Sequence, residues 1–401
     1  MRHSEAVFIV GAGPVGCYNA LAYAQLGFSV TLIERRTRAE LLDQRAGASF
    51  NIALSARGLY ALDRIEHRAQ TLARAAPIIG RRIHGLDGEY EDINYSGNPS
   101  DRIWSIKRYE FLAILLENIS QQSEHIIAHF GAHLESVEIL SNRAVFIDCS
   151  GRVQDVRFDL LLACDGVNST VGQCLDNRLG CDSTLDVLKI RYREIDLLQD
   201  AGFSANDRLH IWPRTSTTVM GFPNVDGTLT GILFDNINAA PASSLQDQIE
   251  SMNVLKPAEV KRIVHAPTKP IKCISRVTWC CNDTILLGDA AHAMPPFYGQ
   301  GLNCSLENSA ILVELIADRK DQPINQLLCS FSHNRRPDVA AIQELSFQNY
   351  RELEVFGASA SKAFSDQSQH FHRVNHEASI YQRVTFSREP YAHIMDDVAG
   401  L

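Results

Sequence analysis

The stretch GDAAHAMPPFYGQGLN, residues 288–303, marks the passage from a strand to a helix. The apolar residues 284–287 before it are typical of a buried strand, and apolar side chains recur at helical spacing after Leu302. Gly299 and Gly301 leave room for a flat ring against the backbone, and the first helical turn carries a partial positive charge. Asp289 is placed to accept hydrogen bonds from sugar-type hydroxyls. The stretch predicts a ligand-binding loop, although a glycine- and proline-rich connection without a ligand explains it equally well.

A second glycine-rich turn lies near the N-terminus. The apolar run AVFIV, residues 6–10, leads directly into a G-x-G-x-x-G motif formed by Gly11, Gly13 and Gly16. A helical pattern follows, and the next apolar run ends in Glu34, about twenty positions after the glycines. In this setting the glycines favour pyrophosphate binding at a helix N-terminus, and Glu34 favours contact with the two hydroxyls of an adenosine ribose. Arg36, like the arginine before it, either lies over an adenine or is a solvated charge.

Composition and charge exclude several classes of protein. The chain has 401 residues, 45% of them hydrophobic, which is enough for two or three domains with substantial cores. Its net charge of -9 argues against nucleic acid as a partner. The ten cysteines show no C-x-x-C spacing, so we expect reduced thiols and no metal site. No leader and no apolar run near the ~18 residues of a membrane span are found. We therefore expect a soluble, cytoplasmic protein, either a monomer or a homodimer.

The remaining chain alternates between two textures. Residues 45–57 indicate a loop beside the predicted dinucleotide, and residues 77–95 indicate a β-hairpin. Residues 103–120 indicate a strand and a helix that meet at Arg108. The strand at residues 158–164 ends in Asp165 and Gly166, before a Ser/Thr helix start. Short alternating strands from about 181 to 272 predict a mostly antiparallel sheet, after which the α/β texture returns. Beyond residue 337 the pattern is helical.

Together these motifs resemble a known family. The glycine motif with Glu34, CDGVNSTV at 164–171 and GDAAHAMPPFYGQGLN at 288–303 are similar to the three signatures of single-component, FAD-dependent aromatic hydroxylases of the para-hydroxybenzoate hydroxylase type. The stretches NIALSARG, IWSIKR and YQRVTFSREPY resemble one branch of that family, which acts on tryptophan-derived aromatic amino acids.

The resemblance implies an α/β fold with a Rossmann-like FAD-binding domain, an inserted, mostly antiparallel β-sheet substrate domain and a helical C-terminal segment. We predict that residues 1–75, 102–178 and 274–338 form the FAD-binding domain, residues 76–101 and 179–273 the substrate domain, and residues 339–401 the C-terminal segment.

The resemblance also implies roles for individual residues. Arg81 is expected to pair with a substrate carboxylate, Tyr95 to help hold the substrate, and Asn349 and Tyr381 to close the pocket. Without the resemblance, Arg81 would more simply be a surface charge paired with Glu89 or Glu91 across the hairpin. The expected pocket wall comprises Pro296, Phe297, Tyr298, Met220, Phe222 and Phe234. The expected FAD contacts are Gly11, Gly13, Gly16, Glu34, Arg36, Arg108, Asp165, Gly166, Asp289, Gly299, Gln300, Gly301, Leu302 and Asn303.

The implied chemistry is carried by the cofactor. NADPH or NADH visits transiently, because only one glycine fingerprint is present, and reduces a tightly but non-covalently bound FAD. Oxygen then adds at flavin C4a to form a hydroperoxide, and one oxygen atom passes to an electron-rich ring. No catalytic side chain is required, and His292 is expected to be a packed loop histidine. A hydroxylase of another aromatic substrate and an FAD-binding protein without turnover remain as alternatives.

Three positions depart from the family pattern. Gly172 stands where an arginine is common, Asn308 stands where an acidic residue often follows Glu307, and Tyr298 replaces an expected histidine or phenylalanine.

Overall fold

The computed structural model describes residues 5–43, 51–85, 88–197, 206–214, 216–236, 242–356 and 379–399. Within them the strands are β1 (Ala6–Val10), β2 (Ser29–Glu34), β3 (Asn51–Leu54), β4 (Ala76–Ile78), β5 (Gly80–His84), β6 (Tyr90–Asn94), β7 (Ile103–Lys107), β8 (Ile126–Phe130), β9 (His133–Glu138), β10 (Arg143–Ile147), β11 (Val153–Arg157), β12 (Leu160–Ala163), β13 (Thr184–Asp196), β14 (Arg208–Pro213), β15 (Thr217–Pro223), β16 (Leu229–Asn236), β17 (Lys269–Ser275), β18 (Cys280–Cys281) and β19 (Thr284–Leu286).

The helices of the described residues are α1 (Pro14–Gln25), α2 (Arg38–Leu42), α3 (Ala56–Arg64), α4 (Arg68–Leu72), α5 (Arg108–Gln121), α6 (Thr170–Leu179), α7 (Ala242–Glu250), α8 (Pro257–Val264), α9 (Asp289–His292), α10 (Gly301–Ala317), α11 (Ile324–Phe356), α12 (Ile380–Phe386) and α13 (Tyr391–Ala399), with one turn of 3-10 helix at Pro296–Tyr298.

The first sheet has six strands in the order β18-β19-β12-β1-β2-β8. All neighbouring pairs are parallel except β18 with β19, which are antiparallel at the edge. Strands β1 and β12 are short apolar runs buried on both faces, as expected when helices cover a parallel sheet. The unit β1-α1-β2 confirms the predicted Rossmann-like fold, and Gly27, with φ of 86°, follows the C-cap residue Leu26 at the end of α1.

The second sheet has seven strands in the order β17-β13-β16-β15-β14-β5-β6. Every pair is antiparallel except β14 with β5, so the predicted mostly antiparallel sheet is confirmed. Strands β5 and β6 form the predicted hairpin, whose turn residues 86 and 87 lie outside the described residues. Burial along β15 alternates residue by residue, because one face of this sheet is packed and the other is less covered.

Three boundaries differ from those predicted from the sequence. Residues 51–54, expected in a loop, form strand β3, which pairs with β7; residues 45–50 of that expected loop lie outside the described residues. The stretch 288–303 contains α9 and the 3-10 turn, where only a loop was expected. Helix α11 runs through Pro337 and across the predicted boundary between residues 338 and 339. Elements of three to five residues carry too little periodicity to be recognised in a sequence.

The largest apolar core surrounds the six-stranded sheet and includes residues of α1, α5, α10 and α11. A smaller cluster joins one face of the seven-stranded sheet to Phe297 and Phe347. Among the described residues, no helix combines the length and apolar composition needed to cross a membrane.

Candidate active site

A cavity of about 420 Å³ is lined by residues of the seven-stranded sheet, by residues that follow strands β12 and β19 of the six-stranded sheet, and by the stretch 288–303. It contains all ten residues expected to bind substrate and eight of those expected to bind FAD. These are Arg81, Tyr95, Met220, Phe222, Phe234, Pro296, Phe297, Tyr298, Asn349 and Tyr381, and Gly13, Arg108, Gly166, Asp289, Gly299, Gln300, Gly301 and Leu302. Gly11, Gly16, Glu34, Arg36, Asp165 and Asn303 do not line it.

The glycine turn brings the N-terminus of α1 to the cavity. A Cβ at Gly16 would lie 1.8 Å from the carbonyl oxygen of Gly11, and Gly11 itself has a φ of 100°, so side chains at both positions are excluded by the turn. Gly13 is the N-cap and provides no side-chain cap for the first turn. Gly13, Pro14 and Val15 line the cavity. The turn therefore leaves a helix N-terminus open to an anion.

Glu34 lies behind this turn. Its carboxylate accepts hydrogen bonds from the backbone N–H of Ala12, at 2.9 Å, and from Nε of Arg36, at 2.8 Å. Burial opposes ionisation, but the hydrogen bonds from Arg36 and Ala12 outweigh it and lower the pKa of Glu34. Glu34 therefore supports the glycine turn as an ionised carboxylate, and its contact with a ribose remains a prediction.

Asp165 also acts from behind the cavity wall. Its carboxylate accepts hydrogen bonds from the backbone N–H of Thr170, at 2.8 Å, and from the hydroxyl of Ser169. It thus fixes the start of α6, while the next residue, Gly166, with φ of 81°, lines the cavity.

The stretch 288–303 forms a second wall. Asp289 is exposed and lines the cavity. Desolvation by the surrounding protein raises its pKa, and the charge of Arg108 only partly opposes that rise. Gln300 is the N-cap of α10 and provides no side-chain cap for its first turn, so Gly301 and Leu302 present a second uncapped helix start to the cavity.

Asn303 is completely buried and joins this wall to β3. Its amide nitrogen donates to the carbonyl oxygens of Ala53 and Gly299, each at 2.8 Å, and its amide oxygen accepts from the backbone N–H of Ser55, at 2.9 Å. Asn303 therefore shapes the loop through three hydrogen bonds and has no surface in the cavity.

The seven-stranded sheet supplies one charged side chain among aromatic rings. Arg81, on β5, lines the cavity, whereas its neighbour Arg82 points to the opposite face and pairs with Asp92 at 2.7 Å. Tyr95 stacks on Tyr381 with ring centroids 4.6 Å apart. Burial raises the pKa of both phenols, and the nearby charge of Arg81 acts in the opposite direction on each. Both tyrosines are therefore neutral hydrogen-bonding groups beside a cation.

The rest of the cavity wall formed by the seven-stranded sheet is apolar. Phe234 lies 5.8 Å from Phe297, measured between ring centroids, and Met220 and Phe222 belong to the same cluster. The amide of Asn349, on α11, donates to the carbonyl oxygen of Phe297 at 2.8 Å and thereby holds this wall. Such a cavity accepts a flat ring with a single anionic end.

Comparison with known proteins is consistent with this geometry. A family model described as an FAD binding domain matches residues 4–346. Kynurenine 3-monooxygenase of Stenotrophomonas maltophilia is 30% identical over 98% of this chain and 90% of its own length. The enzyme of that name from Saccharomyces cerevisiae is 30% identical over 87% of this chain and 82% of its own length.

The chain belongs to the FAD-dependent aromatic monooxygenases. The solved tetrameric form of 2-methyl-3-hydroxypyridine-5-carboxylic acid oxygenase superposes with a TM-score of 0.73, covering 89% of this chain and 93% of the other, and at 19% identity this supports the shared fold. The predicted family and fold class are thereby confirmed.

The residues of this monooxygenase suit FAD. Two uncapped helix starts, those of α1 and α10, open on one cavity, which matches a cofactor with an anionic pyrophosphate and an electron-rich ring edge. Asp289 and Arg108 line the same cavity, and Gly299, with φ of 63°, brings a residue without a side chain to its wall.

His292 is not part of the cavity of this monooxygenase. It is buried, its ring centroid lies 5.1 Å from that of Trp279, and its Nε2 is 3.1 Å from the amide nitrogen of Asn308. This is the packed position expected from the sequence. In the described part of the chain, no three His, Cys, Asp or Glu side chains are grouped closely enough to bind a metal ion.

Some cavity residues of the monooxygenase were not predicted from the sequence. Two of them are polar, Asn51 and Ser55. The others are apolar side chains, mainly on short strands: Ile52, Ala53, Ile78, Ile103, Leu209, Ile211, Ile232 and Met294. Leu209 and Ile211 are two positions apart on β14, so their side chains lie on the same face of the sheet that carries Met220 and Phe234. This period-two spacing was the signal in the sequence that could have placed them in the cavity wall.

Proposed function

We propose that this monooxygenase hydroxylates L-kynurenine to 3-hydroxykynurenine with FAD, O2 and NADPH or NADH. The names of the relatives support this substrate. The observation that carries the proposal is the position of Arg81, the cation of the seven-stranded sheet in the cavity, beside Tyr95 and Tyr381 and among apolar side chains. An aromatic amino acid has the matching chemistry, with a flat ring and a carboxylate at one end.

Each group of side chains has a task in this proposal. Arg81 binds the carboxylate through charge-assisted hydrogen bonds, and the Tyr95 and Tyr381 hydroxyls fix its orientation. Met220, Phe222, Phe234 and Phe297 exclude water from the ring and from the reacting oxygen. Asn349 holds Phe297 in place.

The residues around the stretch 288–303 would hold FAD. The start of α1 would bind the pyrophosphate, Glu34 and Arg36 the adenosine, Asp289 the ribityl chain, and the start of α10 the ring edge that becomes negative. When bound and reduced by the nicotinamide, FAD supplies the oxygen-activating chemistry, so no side chain of the pocket has to break a bond in the substrate.

The test compares two neighbouring arginines on opposite faces of β5. Arg81→Ala removes the carboxylate contact, so the KM for L-kynurenine should rise about 10- to 100-fold, while the flavin content stays that of the unaltered protein. Arg82→Ala, the matched control, should leave KM within about threefold, because Arg82 pairs with Asp92 away from the cavity. Loss of FAD from Arg81→Ala, or an unchanged KM, would contradict the assignment.

Substrate choice is tested separately by measuring NADPH and NADH oxidation with L-kynurenine, tryptophan and anthranilate. L-Kynurenine should stimulate oxidation most strongly and yield 3-hydroxykynurenine. Stronger stimulation by either other compound would replace the substrate and leave the enzyme class in place.

A further inference from the structure

Tyr391 connects the C-terminal helix α13 to the wall of the cavity. It is completely buried, and its hydroxyl donates a hydrogen bond to the amide oxygen of Gln300 at 2.9 Å. Gln300 is the N-cap of α10 and lines the cavity. A residue far along the chain therefore contacts the side chain at the helix start where we place the flavin.

The amide of Gln300 is held at both ends. Its nitrogen donates to the carbonyl oxygen of Tyr298 at 3.3 Å, and its oxygen also accepts from the hydroxyl of Ser55 at 3.4 Å. In this orientation the side chain does not cap its own helix. A released glutamine could turn toward the uncapped N–H groups of α10 or into the cavity, where it would compete with a bound ligand.

Tyr391 itself is held firmly. The guanidinium carbon of Arg57 lies 3.7 Å from the centroid of its ring, and Arg57 pairs with the buried Glu307 at 2.7 Å. Arg57 also donates to the carbonyl oxygen of Glu389. Burial raises the pKa of Tyr391 well above its ordinary value, although the charge of Arg57 acts in the opposite direction, so the phenol keeps the proton that it donates.

We propose that Tyr391 is a positioning residue for flavin binding. It keeps the side chain of Gln300 turned back into the protein, so that the start of α10 remains open to the flavin. This inference rests on the proposed placement of FAD against residues 299–302.

The test measures FAD affinity of the apoprotein by titration. Tyr391→Phe keeps the ring on Arg57 and removes the hydroxyl, so the Kd for FAD should rise about three- to tenfold. The double variant Tyr391→Phe with Gln300→Ala should regain most of the affinity, because in this placement FAD meets residue 300 through its backbone, which the substitution keeps, and the competing side chain is gone. Tyr23→Phe is the matched control, since Tyr23 is equally buried and its hydroxyl makes no hydrogen bond to any described residue; its Kd should stay within twofold of the original.

Two outcomes would overturn this inference and leave the proposed function in place. One is a Tyr391→Phe protein with unchanged FAD affinity, and the other is a double variant that binds FAD more weakly than Tyr391→Phe. A wild-type apoprotein that takes up no FAD would instead overturn the proposed function, and this inference with it.

A different observation concerns two cysteines outside the cavity. Cys280 on β18 and Cys329 on α11 have their sulfur atoms 3.7 Å apart. Cys280 is buried and Cys329 is exposed. A disulfide needs a sulfur–sulfur distance of about 2.05 Å, so a movement of under about 2 Å would join them.

We infer that Cys280 and Cys329 form a site of reversible oxidation by hydrogen peroxide, which a flavin monooxygenase releases when reduced flavin meets oxygen without transferring it. The Cys329 thiolate attacks the peroxide, giving a sulfenic acid and one water. Cys280 then attacks that sulfur and releases a second water, so two thiols lose two electrons and two protons to the peroxide. Cys329 reacts first because it is exposed, whereas burial raises the pKa of Cys280 to about 12.

The test treats the FAD-loaded protein with hydrogen peroxide, blocks the remaining thiols and maps the peptides by mass spectrometry. A 280–329 disulfide that dithiothreitol reverses is expected in the unaltered protein. Cys281→Ser should still form it, and Cys329→Ser should not. Absence of the 280–329 bond from the unaltered protein, or a preferred bond to Cys281, would overturn the inference.

Discussion

At the scale of single residues, Gly172 and Arg276 form one packing unit. A Cβ at Gly172 would lie 2.6 Å from the guanidinium carbon of Arg276. Arg276 is buried, donates to the carbonyl oxygen of Ala290 at 2.7 Å and pairs with Asp176. It therefore has little room to move away. This arginine explains the absence of a side chain at position 172, where the family resemblance leads us to expect an arginine.

Asn308 has a similar local reason. Its amide nitrogen is 3.1 Å from Nε2 of His292, and its amide oxygen accepts from Nε of Arg335 at 2.7 Å. An amide donates to one neighbour and accepts from the other, whereas an ionised carboxylate at this position would have no proton to give the histidine. The departure from an acidic residue thus suits the buried neighbours of this chain.

At the scale of elements, Glu307 on α10 joins three parts of the chain. It is buried and accepts from Arg57 on α3 at 2.7 Å, from Arg335 on α11 at 3.3 Å and from Arg388 at 2.9 Å. Glu307→Gln would leave the buried guanidinium of Arg57 without its counter-charge among the described residues, whereas Arg335 would keep its pairing with Asp338. We expect a loss of about 3–5 kcal/mol in the free energy of unfolding, measured with urea.

The matched control is Glu314→Gln on the same helix, because Glu314 is 36% exposed and its pairing with Arg64 is at the surface. That change should cost under about 1 kcal/mol. Equal losses from the two variants would show that the buried cluster does not fasten these elements together.

The elements also show what sequence reasoning reaches. Strand-loop-helix edges at Gly11, Asp165 and Gly288 follow from continuous apolar runs that end in turn residues, and they are confirmed. The hydrogen bond from Tyr391 to Gln300 joins residues separated by 91 positions, and no periodicity connects them. The family resemblance placed Tyr381 in the pocket, but nothing in the pattern distinguished Tyr391 from an ordinary core tyrosine.

At the scale of the whole molecule, the site is assembled from both large sheets and the C-terminal helices. The proposed cofactor side uses residues at the ends of the parallel strands, and the proposed substrate side uses one face of the antiparallel sheet. Residues that were predicted to touch FAD but lie behind the wall, such as Asn303 and Asp165, are the ones that shape its loops. A sequence motif contains both kinds of residue, and the two kinds cannot be distinguished from the motif alone. The structure shows which of them line the cavity and which support its wall.

The stability of the whole molecule should depend on His292. Burial, reinforced by the charge of Arg335, lowers its pKa from 6.5 to about 4. In the unfolded chain His292 therefore takes up a proton near pH 6.5, whereas in the folded protein it stays neutral until about pH 4. The contribution of a neutral His292 is complete above pH 6.5 and is lost progressively as the pH falls toward 4.

Between pH 8 and pH 5 this linkage should cost the protein about 2 kcal/mol in the free energy of unfolding. The variant His292→Asn cannot titrate, while its carboxylates respond to acid as before. Urea unfolding at both pH values should therefore show a smaller loss on acidification for the variant than for the unaltered protein, even if the variant is less stable at pH 8. Equal losses would mean that the folded protein accepts a proton on His292 as readily as the unfolded chain, and that the packing around Trp279 and Asn308 does not exclude charge.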